Sequence, residues 1–234
     1  MSSASASPRE MLAERLFGLT HELAALDGVA GHEQPVVARL VELLRPLVRR
    51  VEVDSFGNVF AWLPSDVERP VLMVTAHSDE IGLLVKGIEP NGFLRIEKVG
   101  GVIDSQLPGR HVRVRGYRGV IGVRPGHLMT AEEQRSVPPV RDLYVDLGFD
   151  SAEDVLALGI QVGDPVAYDE PVERLANPRR ISGKALDNRV SCALLVALAE
   201  RLRDVELGCQ LVLVITVQEE VGLRGAQMAV YRLA

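Results

Sequence analysis

Two apolar runs in this chain end abruptly in side chains that can bind a metal or move a proton. Residues 211–217 stop at Gln218-Glu219-Glu220, and residues 71–76 stop at His77-Ser78-Asp79-Glu80. A third acid, Asp187, lies in the polar loop SGKALDNR, where a helical pattern begins. His77, Asp187 and Glu220 offer the nitrogen and oxygen ligands that Zn²⁺ accepts. A carboxylate can bridge two such ions, and ions held about 3.5–4 Å apart activate water and clamp the transition state of hydrolysis. Glu219, beside a ligand without being one, suits a general base. Asp79 suits the acceptor of the second ring N–H of His77, fixing its tautomer. Plainer readings exist for three of these acids. Glu219 and Glu220 also fit the acidic first turn of a following helix, which its dipole favours, and Asp187 fits a helix N-cap. The pattern by itself leaves both open.

Other chemistries find less support. A phosphate loop around Gly183-Lys184 would need Gly at 178 and Ser or Thr at 185, where Pro178 and Ala185 stand. No GxGxxG follows a strand pattern, and no serine lies in GxSxG. A glycosidase needs carboxylates on both sides of a bond, which adjacent Glu219 and Glu220 supply only with a further partner. Cys192 falls on the apolar face of a helix and reads as core.

The elements that must position these groups follow from periodicity. Leu12, Leu16, Leu19, Leu23 and Leu26 recur at helical spacing from Pro8, after a small polar tail over 1–7. A second helix is expected over 33–49, with Pro46 set to end it early. Two short strands, 51–54 and 59–63, flank a turn. The runs 71–76 and 211–217 read as strands buried on both faces, and such strands in open α/β sheets deliver ligands at their carboxyl ends. Between them the texture changes. FLRIE, HVRVR and GVIGV alternate between Gly and Pro breaks, an antiparallel pattern with one helix opening at Ser151 and Asp154. The expected architecture is an α/β domain, a mixed sheet flanked by helices, from 1–81 and 172–234, interrupted by a β-rich insertion over 82–171.

Composition sets the outer limits. The 234 residues are 47% hydrophobic and 25% charged, ample for a core, and aromatics are only 4%, so that core must be aliphatic. The net charge of −6, with no basic block, argues against nucleic acid and anionic membranes. Two cysteines give no disulfide framework, the first ten residues lack a signal-peptide layout, and no apolar run has spanning length. A cytoplasmic protein is the expectation.

With those residues in view, the sequence resembles the glutamyl and tetrahedral aminopeptidase family of dinuclear metallopeptidases. TAHSDEIGLLV (75–85), ISGKALDNRVSC (181–192) and TVQEEVGLRGA (216–226) carry the resemblance. GHEQPV, DSFGNV and GGVIDSQLPGRHVRV add to it in the same order, over about 10–234. The resemblance implies His77 as ligand of one metal, Asp187 as bridge, Glu220 as ligand of the second, Glu219 as base and Asp79 as the orienter of His77. It also implies removal of N-terminal residues from peptides with zinc or cobalt, and homo-oligomers built through a PDZ-like insertion at 82–171. Some members have carried an endoglucanase label, a less favoured activity here.

The sequence departs from that pattern in one respect. The family has two further ligands, an Asp and a His beyond the Glu-Glu pair, and no Asp follows Asp204 and no His follows His127 before Ala234. His21, His32, His111 and His127 do not match those positions. As written, each metal would keep two protein ligands, fewer than a catalytic zinc normally has. The expected consequences are a chain truncated at its C-terminus, an exposed apolar edge on the 211–217 strand, and a rival reading as an inactive fragment or pseudoenzyme that only associates.

Overall fold

The computed structural model describes residues 7–66 and 70–233. Helix α1 (Pro8–Ala25) opens with a capping box: the Ser7 hydroxyl accepts from the Glu10 amide while Glu10 reaches back to the Ser7 amide. Ser7 is therefore an ordered cap and not part of a loose tail; the other residues of that expected tail lie outside the described residues. Helix α2 (Gln34–Leu44) stops short of the expected end because Pro46 cannot continue it. Strands β1 (Arg50–Val53) and β2 (Val59–Trp62) form a hairpin, and β3 (Val71–His77) follows.

The chain then builds β4 (Gly82–Ile88), β5 (Leu94–Val99), β6 (His111–Val114), β7 (Tyr117–Gly122) and β8 (Tyr144–Asp146). Helix α3 (Ala152–Ala157) is capped by Ser151, whose hydroxyl accepts from the Asp154 amide, and β9 (Pro165–Tyr168) comes next. A two-residue pair, β10 (Glu173–Arg174) and β11 (Ile181–Ser182), leads to α4 (Leu186–Leu202), β12 (Gln210–Thr216) and α5 (Arg224–Leu233).

Two compact units result. The described residues up to Asp79 join those from Pro171 onward, and Glu80–Glu170 forms the other. The second unit is a closed antiparallel barrel in the order β4-β5-β8-β7-β6-β9, with its own core including Leu83, Leu94, Val112, Ile121 and Val145.

The first unit carries a mixed four-stranded sheet ordered β1-β2-β12-β3. β12 runs antiparallel to β2 and parallel to β3. On one face α1, α2 and α4 cover the sheet through Leu19, Leu40, Val196, Leu213 and Ile215, among others. On the other, Phe60, Val212 and Val214 meet Ala229 of α5. The expected exposed edge on the 211–217 strand is thus corrected. β12 is a central strand, paired on both sides, and β3 takes the edge, where Leu72 is exposed.

Candidate metal centre

Because β3 and β12 run parallel, their carboxyl ends emerge together. Thr216 pairs with His77, and the Ser78 amide and hydroxyl both donate to the Thr216 carbonyl, at 2.8 and 3.0 Å. This lock sets His77 and the 218–220 turn at one rim, and Arg189 Nε, donating to the Ser78 carbonyl, brings the start of α4 there.

The His77 ring is the hub. Its Nε2 lies 3.0 Å from Asp187 Oδ1 and 3.8 Å from Glu219 Oε2. Its Nδ1 faces Asp79, 3.2 Å from the backbone carbonyl and 3.4 Å from Oδ1. A proton on Nδ1 suits that side and leaves Nε2 as the free ligand atom. The ligand atoms of His77, Asp187 and Glu220 all lie within 4.8 Å of one another. All five residues singled out from the sequence, Glu219 and Asp79 included, therefore come to one place.

The plainer readings fare poorly. α5 begins only at Arg224 and has no acid in its first turn, so Glu219 and Glu220 precede it in a separate turn. Asp187 caps nothing with its side chain, has non-helical backbone angles and leaves its carboxylate 82% exposed toward His77. The Asp187–Asn188 peptide is cis.

The turn bearing the two glutamates is held amide by amide. Val217 N–H donates to Asn58 Oδ1 at 3.1 Å and Gln218 N–H to Glu33 Oε1 at 2.9 Å. Glu219 and Glu220 N–H donate to the two oxygens of the fully buried Asp79, at 3.0 and 2.9 Å. Behind His77, the buried Arg189 donates from Nε to the Ser78 carbonyl at 2.8 Å, and from Nη1 to the Leu23 and Leu26 carbonyls at the end of α1. The Cys192 thiol donates to the His77 carbonyl at 3.1 Å; burial pushes its pKa up to about 12, so it stays an inert core thiol. Glu33, Asn58 and Arg189 were given no role from the sequence. Glu33 and Asn58 fall in GHEQPV and DSFGNV, which were noted only as blocks of likeness.

The electrostatics favour a cation. Burial lowers the His77 pKa, but the hydrogen bond and charge of Asp79, then the charge of Glu219 and the hydrogen bond of Asp187, outweigh it and raise the value to about 9. Burial raises Asp79, yet His77 and the two amides hold it below the ordinary carboxylate value. Burial raises Glu220, and the neighbouring Glu219, Asp79 and Asp187 charges add to this against His77. Four carboxylates around one imidazole leave excess negative charge that a divalent ion relieves. One imidazole and two carboxylates are also the donor types such ions take. The residues fit a divalent metal.

An α/β sheet thus presents, at its carboxyl edge, a His-Asp-Glu cluster able to hold a divalent ion, with a further glutamate beside it. The comparisons make this specific. The family model of the M42 glutamyl aminopeptidases matches residues 57–234, and the chain belongs to that family. SgcX of Escherichia coli (strain K12) is 37% identical over 217 residues, covering 91% of this chain and 57% of SgcX. The glutamyl aminopeptidase of Lactococcus lactis subsp. cremoris (strain MG1363) is 33% identical over 221 residues, 92% of this chain and 62% of that enzyme. The solved structure of the Pyrococcus horikoshii TET1 peptidase, which can assemble into a tetrahedron or a large octahedral shell, superimposes with a TM-score of 0.83. It is 35% identical and is covered over 64% of its length by 92% of this chain. The chain thus spans about three fifths of the length of these relatives.

Proposed function

We propose that this site serves a dinuclear metallo-aminopeptidase, removing N-terminal residues from peptides. His77 would hold one divalent ion, zinc or cobalt, Glu220 the other, and Asp187 both. Such ions, when bound, polarise the scissile carbonyl and activate water. Glu219 takes the water's proton and passes it to the leaving amine. Asp79 keeps Nε2 of His77 presented by occupying the Nδ1 side, and by gripping the Glu219 and Glu220 amides it ties the base to a ligand. The observation that carries this reading is the convergence of His77, Asp187 and Glu220 within 4.8 Å, with Glu219 3.8 Å from the same imidazole nitrogen.

The proposal extends to the setting of the site. The Glu80–Glu170 barrel would be the PDZ-like module through which copies of the chain associate; that TET1 assembles into large shells supports association as such. No helix among the described residues is long and apolar enough to cross a membrane. With Cys192 and Cys209 both free, a cytoplasmic location is proposed.

Hydrolysis of a chromogenic amino-acid anilide, with zinc or cobalt added, tests the reading, with Glu219→Gln as the control. Turnover that depends on metal and drops by about 10²–10⁴ in the control, the usual contribution of a general base, is expected. Turnover no higher than the control would leave association through the barrel as the surviving role. Activity on soluble cellulose derivatives that persists under chelation would point to glycan hydrolysis instead.

A further inference from the structure

The turn that carries Glu219 and Glu220 starts from an unfavourable backbone. Gln218 has φ +55, the left-handed region that residues other than glycine seldom occupy. Such a conformation persists where surrounding contacts over-determine it. Three of the four amides from 217 to 220 are held by Asn58 and Asp79. The remaining one, that of Gln218 itself, is held by Glu33, 185 positions away in sequence.

Glu33 is 4% exposed and does not belong to the His77-Asp187-Glu220 cluster. It precedes α2 but makes no side-chain cap to that helix. Its Oε1 instead accepts two backbone N–H groups, Gly31 and Gln218, each at 2.9 Å. That single oxygen joins the loop before α2 to the residue immediately ahead of Glu219. Burial raises the Glu33 carboxyl above its ordinary pKa, while the backbone N–H groups it accepts, those of Gly31 and Gln218 among them, pull the other way.

We propose that Glu33 is a positioning residue for the acidic turn, acting through the reach of its acceptor oxygen on the Gln218 amide and so fixing where the Glu219 and Glu220 carboxylates stand. The consequence for metal rests on the metallopeptidase reading above; the consequence for the turn does not.

Two conservative variants separate reach from charge. Glu33→Gln keeps an oxygen at the same reach without the charge, whereas Glu33→Asp keeps the charge but withdraws the oxygen by one methylene. Amide hydrogen exchange over residues 217–220 in the metal-free protein, and zinc affinity by competition with a chromogenic chelator, are measured on both. Glu33→Asp is expected to exchange at Gln218 and Glu219 on the order of tenfold faster. It should also bind zinc roughly tenfold or more weakly, as loss of a supporting contact to a metal site does. Glu33→Gln should match the parent on both. The proposal is overturned if Glu33→Asp exchanges like the parent, if Glu33→Gln fails alongside it, or if zinc affinity drops with exchange unchanged. Should the parent bind no zinc, the metallopeptidase reading falls, and exchange alone still decides the role of Glu33.

Discussion

At the scale of single residues, His77 couples metal and proton. Its pKa of about 9 lies above the ordinary value of 6.5, so the metal-free site carries a proton there at neutral pH. A ligand imidazole must be neutral, and binding therefore expels that proton. For that one proton, affinity therefore rises by roughly tenfold per pH unit below about 9 and levels off above. Calorimetric zinc titrations in buffers of different ionisation enthalpy should show about one proton released at pH 7 and almost none at pH 10. Proton release that does not change over this range would contradict the assignment of His77 as a ligand. Asp79 yields a second prediction. It is fully buried and accepts two amides, so Asp79→Asn must turn an NH₂ donor toward an N–H donor. Urea unfolding should register a loss of about 1–3 kcal/mol. The residues that could do chemistry were legible because strand ends announce them. Glu33 and Asn58 were not, because each bonds a backbone amide 185 or 159 positions away, and backbone partners leave no trace in side-chain type.

At the scale of elements, apolar run length located β3 and β12, and Pro46 located the end of α2. What run length does not encode is neighbour order. β12 sits between an antiparallel β2 and a parallel β3, and that hairpin partner is what gives it two paired sides. The tightest join is where β12 turns into α5. A Cβ at Gly225 would lie 2.3 Å from the Val217 carbonyl oxygen and 2.5 Å from Asn58 Oδ1. Neither atom can yield, since Asn58 is held by Asp54 and by the Val217 amide. Gly225→Ala should therefore destabilise the chain by about 2 kcal/mol or more, within the range of overpacking. Gly18, on α1, has nothing within 4 Å of its would-be Cβ, and Gly18→Ala should stabilise by about 0.5–1 kcal/mol through helix propensity. Denaturation midpoints that move the same way for both variants would refute the close-approach argument.

At the scale of the whole molecule, the switch from α/β texture to short alternating segments was readable. Closure of those segments into a barrel was not, since pairing of β4 with β9 joins strands that are distant in sequence. That closing pair also explains how the chain tolerates the interruption. β4 and β9 are the first and last strands of the Glu80–Glu170 unit, and they run antiparallel side by side, Leu83 opposite Val166 and Leu84 opposite Pro165. The unit's entry and exit strands are thus hydrogen-bonded neighbours, the arrangement in which a domain can be inserted with little disturbance to its host. Its core is its own, and a closed barrel has no free edge to satisfy. Residues 80–170 expressed alone should therefore unfold cooperatively in urea, with a stability of about 5 kcal/mol, the lower end for natural domains. Sedimentation of the same fragment then tests the proposed association. Self-association of an independently folded barrel would place the contacts within it. A folded fragment that stays monomeric while the whole chain associates would move them to the sheet-bearing unit.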